Sequence, residues 1–120
     1  MDFFEKLPQN CPPATAKIPN NEIYYRLVKG FPPSIEDFYS QRKLYPNRNF
    51  GVNECIARAV SLQRTSWACE QIKKFPIHKN KIAVKITLDE SSGMILKTSR
   101  LHYSWWMSLD FKAVEKSEPA

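Results

Sequence analysis

KIAVKITLDESSGMILKT, residues 81–98, decides the fold. Ile82, Val84, Ile86 and Leu88 alternate with Lys81, Lys85 and Thr87, the period of two that marks a strand with one buried face. Asp89 to Gly93 is rich in turn residues, and a second strand follows from Met94 to Thr98, so the stretch predicts a β-hairpin with a five-residue loop. A hairpin needs further strands to bury its apolar face. The rest of the chain is read for them.

Upstream, Glu22-Ile-Tyr-Tyr-Arg-Leu-Val-Lys29 is rich in β-branched and aromatic residues and closes at Gly30, Pro32 and Pro33, which predicts the first strand. Tyr24, Arg26 and Val28 share one of its faces. Ser34 followed by Asp37 is a capping pattern and predicts a helix from about Ile35 to Arg42. Residues 44–51 read as an exposed loop. Residues 55–63 fit either helix or strand, with a turn of helix and then a short strand through Val60-Ser61-Leu62 preferred. Thr65 or Ser66 caps a further helix in which Ala68, Cys69, Ile72 and Phe75 form an apolar stripe, stopped by Pro76. Downstream of the hairpin, strands are expected at Tyr103–Met107 and Asp110–Val114.

These elements define an α+β fold, with a small mixed or antiparallel sheet of four to five strands and two to three short helices. Residues 1–21 form a proline-rich arm, residues 22–115 a single domain, and residues 116–120 a polar tail. At 120 residues, 42% hydrophobic and 25% charged, the chain has the composition of one folding core. The arm has neither helical nor strand period and holds four of the nine prolines; with Phe3 and Phe4 ahead of it, it could dock on the domain or support a homo- or hetero-oligomer.

The net charge of +6 favours an anionic partner, a nucleic acid or an acidic protein. Solubility alone explains such a charge equally well. Cys11, Cys55 and Cys69 show no metal-ligand spacing, so no metal site is expected. The three glycines are isolated, and no phosphate-binding loop or other cofactor motif is present. Without a signal-peptide pattern or a stretch long enough to span a bilayer, the reading is a cytoplasmic protein, away from membranes, with reduced thiols.

RLHYSWWM, residues 100–107, is the most unusual local composition. In a strand, Trp105 and Trp106 point to opposite faces, so the expectation is one in the core and the other covering a surface or a ligand. Tyr24, Arg100, Tyr103, Trp105 and Trp106, with Lys81 and Lys85 for charge, are therefore the candidate binding residues. His102 is a candidate acid or base near neutral pH, although a lone histidine is more often structural. The leading expectation is a small basic binding module that meets a protein or nucleic acid.

The order YYRLVKGFPPSIEDF, SLQRT, KIAVKITL and HYSWW resembles a group of small uncharacterised bacterial proteins, over residues 22–112, and that resemblance implies no activity. A second resemblance is to the ADP-ribosyltransferase-like fold, whose arginine-serine-glutamate members place Arg on the first strand and a Ser-containing strand before a helix. Arg26 and Ser61 match those positions. The family's Gln or Glu two residues before Glu has no counterpart, since Glu115 stands alone in V-E-K. The resemblance implies a cleft lined by Arg26, Ser61, Tyr103 and a Trp, in an active or degenerate enzyme or toxin-type factor acting on NAD or RNA. Arg26, Ser61 and His102 are the candidate catalytic residues.

Overall fold

The computed structural model describes all 120 residues. One six-stranded antiparallel sheet is formed by β1 (Glu22–Val28), β2 (Val60–Gln63), β3 (Ile82–Leu88), β4 (Gly93–Ser99), β5 (His102–Met107) and β6 (Ser117–Pro119), in the order β4-β5-β2-β1-β3-β6. Four short helices accompany it: α1 (Gln41–Leu44), α2 (Glu54–Ala57), α3 (Ser66–Ile72) and α4 (Ala113–Lys116). The hairpin predicted from residues 81–98 is not one. The segment does hold two strands, but β3 pairs with β1 and β6 while β4 pairs with β5, at opposite ends of the sheet. Local turn chemistry fixes a reversal, and the partner is chosen by whichever strand completes the core.

β2 and β3 both run antiparallel to β1 and flank it, so α3 carries the chain over β1 between two parallel strands. Thr65 caps α3 by accepting from the Ala68 N–H at 3.1 Å, as its sequence suggests. The ambiguous segment 55–63 resolves as the preferred reading has it, with α2 followed by β2.

The sheet has a weak seam. β1 and β3 match over seven residue pairs from Glu22↔Leu88 to Val28↔Ile82, and β2 and β5 over four, whereas β1 and β2 share only Tyr25↔Gln63. The result is two three-stranded halves joined at one point. The backbone carbonyls left over on either side of that point are satisfied by arginines: Arg26 Nη1 of β1 donates to the Ser61 carbonyl of β2 at 2.6 Å, and Arg64, just past β2, donates through Nη1 to the Ile23 carbonyl of β1 at 2.6 Å. Arg64 also lies over the Tyr24 ring, 5.3 Å from its centroid.

The main core contains Tyr24, Phe38, Leu62, Ile86, Leu88, Ile95, Trp105 and Phe111 among others. Both tryptophans of β5 are buried, Trp105 at 0% and Trp106 at 1% exposure, against the expectation that one would cover a surface. Each indole N–H finds a backbone acceptor, the Ser92 carbonyl at 3.0 Å and the Cys55 carbonyl at 2.9 Å, which removes the usual penalty for burying it. Opposite faces of β5 are therefore both covered. Gly93 allows this close packing: its φ is +127°, and an added Cβ would collide with the Trp106 carbonyl.

Four further expectations are corrected. The helix expected over 35–42 is a 3-10 turn at Ile35–Phe38 and then α1, broken at Ser40, whose N–H and hydroxyl both donate to the Glu5 carboxylate, at 2.8 and 2.6 Å. The strand expected at 110–114 is replaced by α4, and the supposed polar tail supplies β6, which pairs with β3 through Ser117, Glu118 and Pro119. Cys11 and Cys55 form a disulfide, so the thiols are not all reduced; Cys69 is free and buried. The arm is thereby tied to the domain, helped by bridges Phe3↔Ser108 and Lys17↔Ile95. No helix is long and apolar enough to cross a membrane.

Candidate functional site

Arg26, Ser61 and His102 come from β1, β2 and β5; the side chains of Ser61 and His102 meet on one face of the sheet, while Arg26 leaves β1 on the other face and reaches the Ser61 backbone carbonyl across the seam. Arg26, half-buried, donates from Nε to the Asp37 carbonyl at 2.6 Å and from Nη1 to the Ser61 carbonyl at 2.6 Å, and its Nη2 makes no hydrogen bond to the protein. Protein packed around the guanidinium lowers its pKa to about 10, with Asp37 opposing the shift, so Arg26 stays charged at neutral pH. It offers a fork already held rigid by two bonds.

On the neighbouring strands, Ser61 pairs with Ser104 and Gln63 with His102 in the β2–β5 ladder, so Ser61 and His102 sit diagonally on one face. Their side chains meet, with His102 Nε2 3.0 Å from Ser61 Oγ. Ser61 is exposed and His102 half-buried. On the other side of the ring, Thr98 Oγ1 lies 2.5 Å from His102 Nδ1. Thr98 owes this placement to a bulge: Lys97 pairs with Tyr103 and Ser99 with His102, so Thr98 is an extra residue in β4 aimed at the imidazole.

Burial, and after it the charge of Arg26, hold the His102 pKa below its ordinary 6.5, so the ring is neutral at pH 7. A base with a depressed folded-state pKa binds more protons once unfolded. Its contribution to stability is present above about pH 6.5 and is lost as pH falls through the folded value. Thermal melts between about pH 7.5 and about pH 5 are expected to show a fall in Tm that is shallower in His102→Gln; an identical slope in the variant would contradict it.

The other candidates are placed differently. Tyr24 is buried and meets half-buried Tyr103 edge-on, with centroids 5.1 Å apart, so this pair belongs to the core side of the sheet. Trp105 and Trp106 are core residues. Arg100 is exposed in the β4–β5 turn. Lys81 Nζ bonds His78 Nδ1 at 2.9 Å, and Lys85 lies 3.8 Å from Glu118. Arg42 pairs with Glu54 at 2.8 Å, and Arg48 stacks over Tyr45 at 4.2 Å.

Sequence reading missed Thr98 and Arg64, whose roles depend on register across strands distant in sequence. It also placed the exposed aromatic surface on the wrong element. Trp67, Phe75 and Ile77 are 62%, 63% and 77% exposed, in a segment that also carries Lys73, Lys74 and Lys79. Phe75 was assigned to the buried stripe of α3, but the helix ends at Ile72 and the chain turns outward.

Together the fold and site define an α+β domain with a split antiparallel sheet, Arg26 bridging the split on one face and a Thr98–His102–Ser61 chain on the other. Comparison with protein-family models, with curated proteins and with solved structures found no match.

Proposed function

We propose that this domain is a binding module for a phosphate-bearing, nucleotide-type ligand, NAD or single-stranded RNA, held at the seam between β1 and β2. The observation that carries the reading is the Arg26 guanidinium, fixed at the split between β1 and β2 by the Asp37 and Ser61 carbonyls, with Nη2 making no hydrogen bond to the protein. A preorganised guanidinium suits phosphate because its ordering cost is already met within the fold. The net charge of +6 draws such a ligand in. The resemblance to the ADP-ribosyltransferase-like fold agrees with this placement, since Arg26 and Ser61 are the two positions it matches. No carboxylate takes part in the cluster's hydrogen bonds, which favours binding over glycosyl transfer.

Calorimetric titration with NAD and, separately, a short single-stranded oligoribonucleotide tests the proposal. One of them is expected to bind with a Kd in the micromolar range at about 50 mM salt, more weakly at about 200 mM. Arg26→Gln, with its fold checked by circular dichroism, is expected to weaken binding by about tenfold or more, the scale of one charged hydrogen bond. Failure of both ligands to bind at the lower salt would overturn the proposal.

A second surface favours a different partner. The exposed Trp67, Phe75 and Ile77 among lysines suit an acidic protein with apolar residues, because aromatic side chains anchor such contacts and lysines surround them.

A further inference from the structure

The face of the sheet opposite Arg26 carries a second chemical possibility that does not depend on which ligand the seam prefers. We infer that Ser61 is a nucleophile activated by His102, competent to take a phosphoryl group from an activated phosphodiester.

Three features support it. Ser61 Oγ is exposed and 3.0 Å from His102 Nε2, within reach for direct proton transfer. Thr98 Oγ1 is close to both Nδ1, at 2.5 Å, and the His102 carbonyl, at 3.4 Å. With its own hydroxyl proton turned to that carbonyl, Thr98 accepts Nδ1–H, and this tautomer leaves Nε2 as the acceptor for the Ser61 hydroxyl. Thr98 is then a positioning residue, orienting the base as a third group does in other nucleophile and base pairs. The third feature is anchoring: Arg26, whose side chain leaves β1 on the opposite face, donates to the backbone carbonyl of Ser61 and fixes the strand that carries the nucleophile.

The step balances within these groups. Ser61 Oγ forms a bond to phosphorus as its proton passes to His102 Nε2. The bond from phosphorus to the leaving oxygen breaks, and the imidazolium returns the proton to that oxygen. The enzyme is left with a phosphodiester on Ser61, which water, deprotonated by the same imidazole, hydrolyses.

Two probes test it on the intact protein. Diisopropyl fluorophosphate is expected to modify one residue, Ser61, located by mass spectrometry of peptides, with fluoride as the leaving group. Bis(p-nitrophenyl) phosphate is expected to release nitrophenolate with a burst. His102→Gln should slow labelling by about 100-fold or more, the usual contribution of a general base. In Thr98→Val, the acid midpoint of the labelling rate should move to lower pH, because the imidazolium loses an acceptor, while Tm stays near wild type. A protein that is folded, by its melt, yet unlabelled at Ser61 and inert to the diester would overturn the inference, as would labelling of Ser61 at the wild-type rate in His102→Gln. NAD or RNA binding without labelling would defeat this inference and leave the proposed binding function standing; labelling without binding would do the reverse.

Discussion

Trp105→Ala is expected to destabilise the domain by about 3–5 kcal/mol, the range for removing a large aromatic from a packed core. Trp105 has no exposed surface, meets Phe38 and Phe111 edge-on with centroids 6.4 and 5.7 Å apart, and donates its indole N–H to the Ser92 carbonyl. Truncation would open a cavity and leave that carbonyl without its partner, and both effects have the same sign. Trp67→Ala, on an exposed side chain, should change stability by less than about 0.5 kcal/mol. Urea denaturation of the two variants makes the comparison. A near-neutral Trp105→Ala would mean that the aromatic strand is not the core, and would return β5 to the role of a partner surface. Because domains of this size have only about 5–15 kcal/mol in total, Trp105→Phe serves as the milder variant if the alanine form does not fold.

Loss of the Cys11–Cys55 bond is expected to cost about 4 kcal/mol, or about 15 °C in Tm. The bond closes a loop with a sequence separation of 44, and most of its effect comes from restricting the unfolded chain. It also pins the arm, whose Glu5 carboxylate holds Ser40 and whose Lys17 pairs with Ile95. Reduction should therefore loosen both contacts. Thermal melts with and without reductant, and of Cys55→Ser, give the measurement, and thiol titration of the denatured, unreduced chain should find one free cysteine, Cys69. Three free thiols, or a Tm indifferent to reductant and to the substitution, would contradict the bond.

Much of this architecture is legible in the chain. The period-two patterns of residues 22–28 and 82–88 and the Thr65 cap of α3 correspond to observed elements, because each depends on near neighbours. Pairing does not. Nothing near Ser117 announces that a stretch containing a proline and a glutamate closes the edge of β3, and nothing in residues 89–93 tells whether the flanking strands pair with each other. The helix expected at 35–42 was broken from 35 residues away, by Glu5. Cysteine pairing is similarly nonlocal: spacing alone gave no reason to join residues 11 and 55.

The candidate site shows the same division. Arg26, Ser61 and His102 could be picked out by residue type and by resemblance, but the bond from Arg26 to the Ser61 carbonyl depends on β1 and β2 pairing at a single point, and the contact of Ser61 with His102 on β5 lying beside β2. Thr98 needed a bulge that pattern reading does not register. Trp105 and Trp106 looked like a recognition surface because two adjacent indoles cannot share one strand face, and the fold answers by burying both faces.

The central claim is that the seam at Arg26, Ser61 and His102 receives a phosphate-bearing ligand. A nitrogen-15 NMR titration with NAD or the oligoribonucleotide tests it most directly, following the Arg26 side-chain Nε–H, the His102 ring and the indole N–H of Trp67. Saturable shifts at Arg26, Ser61 and His102 with Trp67 undisturbed are the predicted result. Shifts confined to Trp67 and the lysines around it, with the seam signals unmoved, would contradict the claim and move the binding surface to α3.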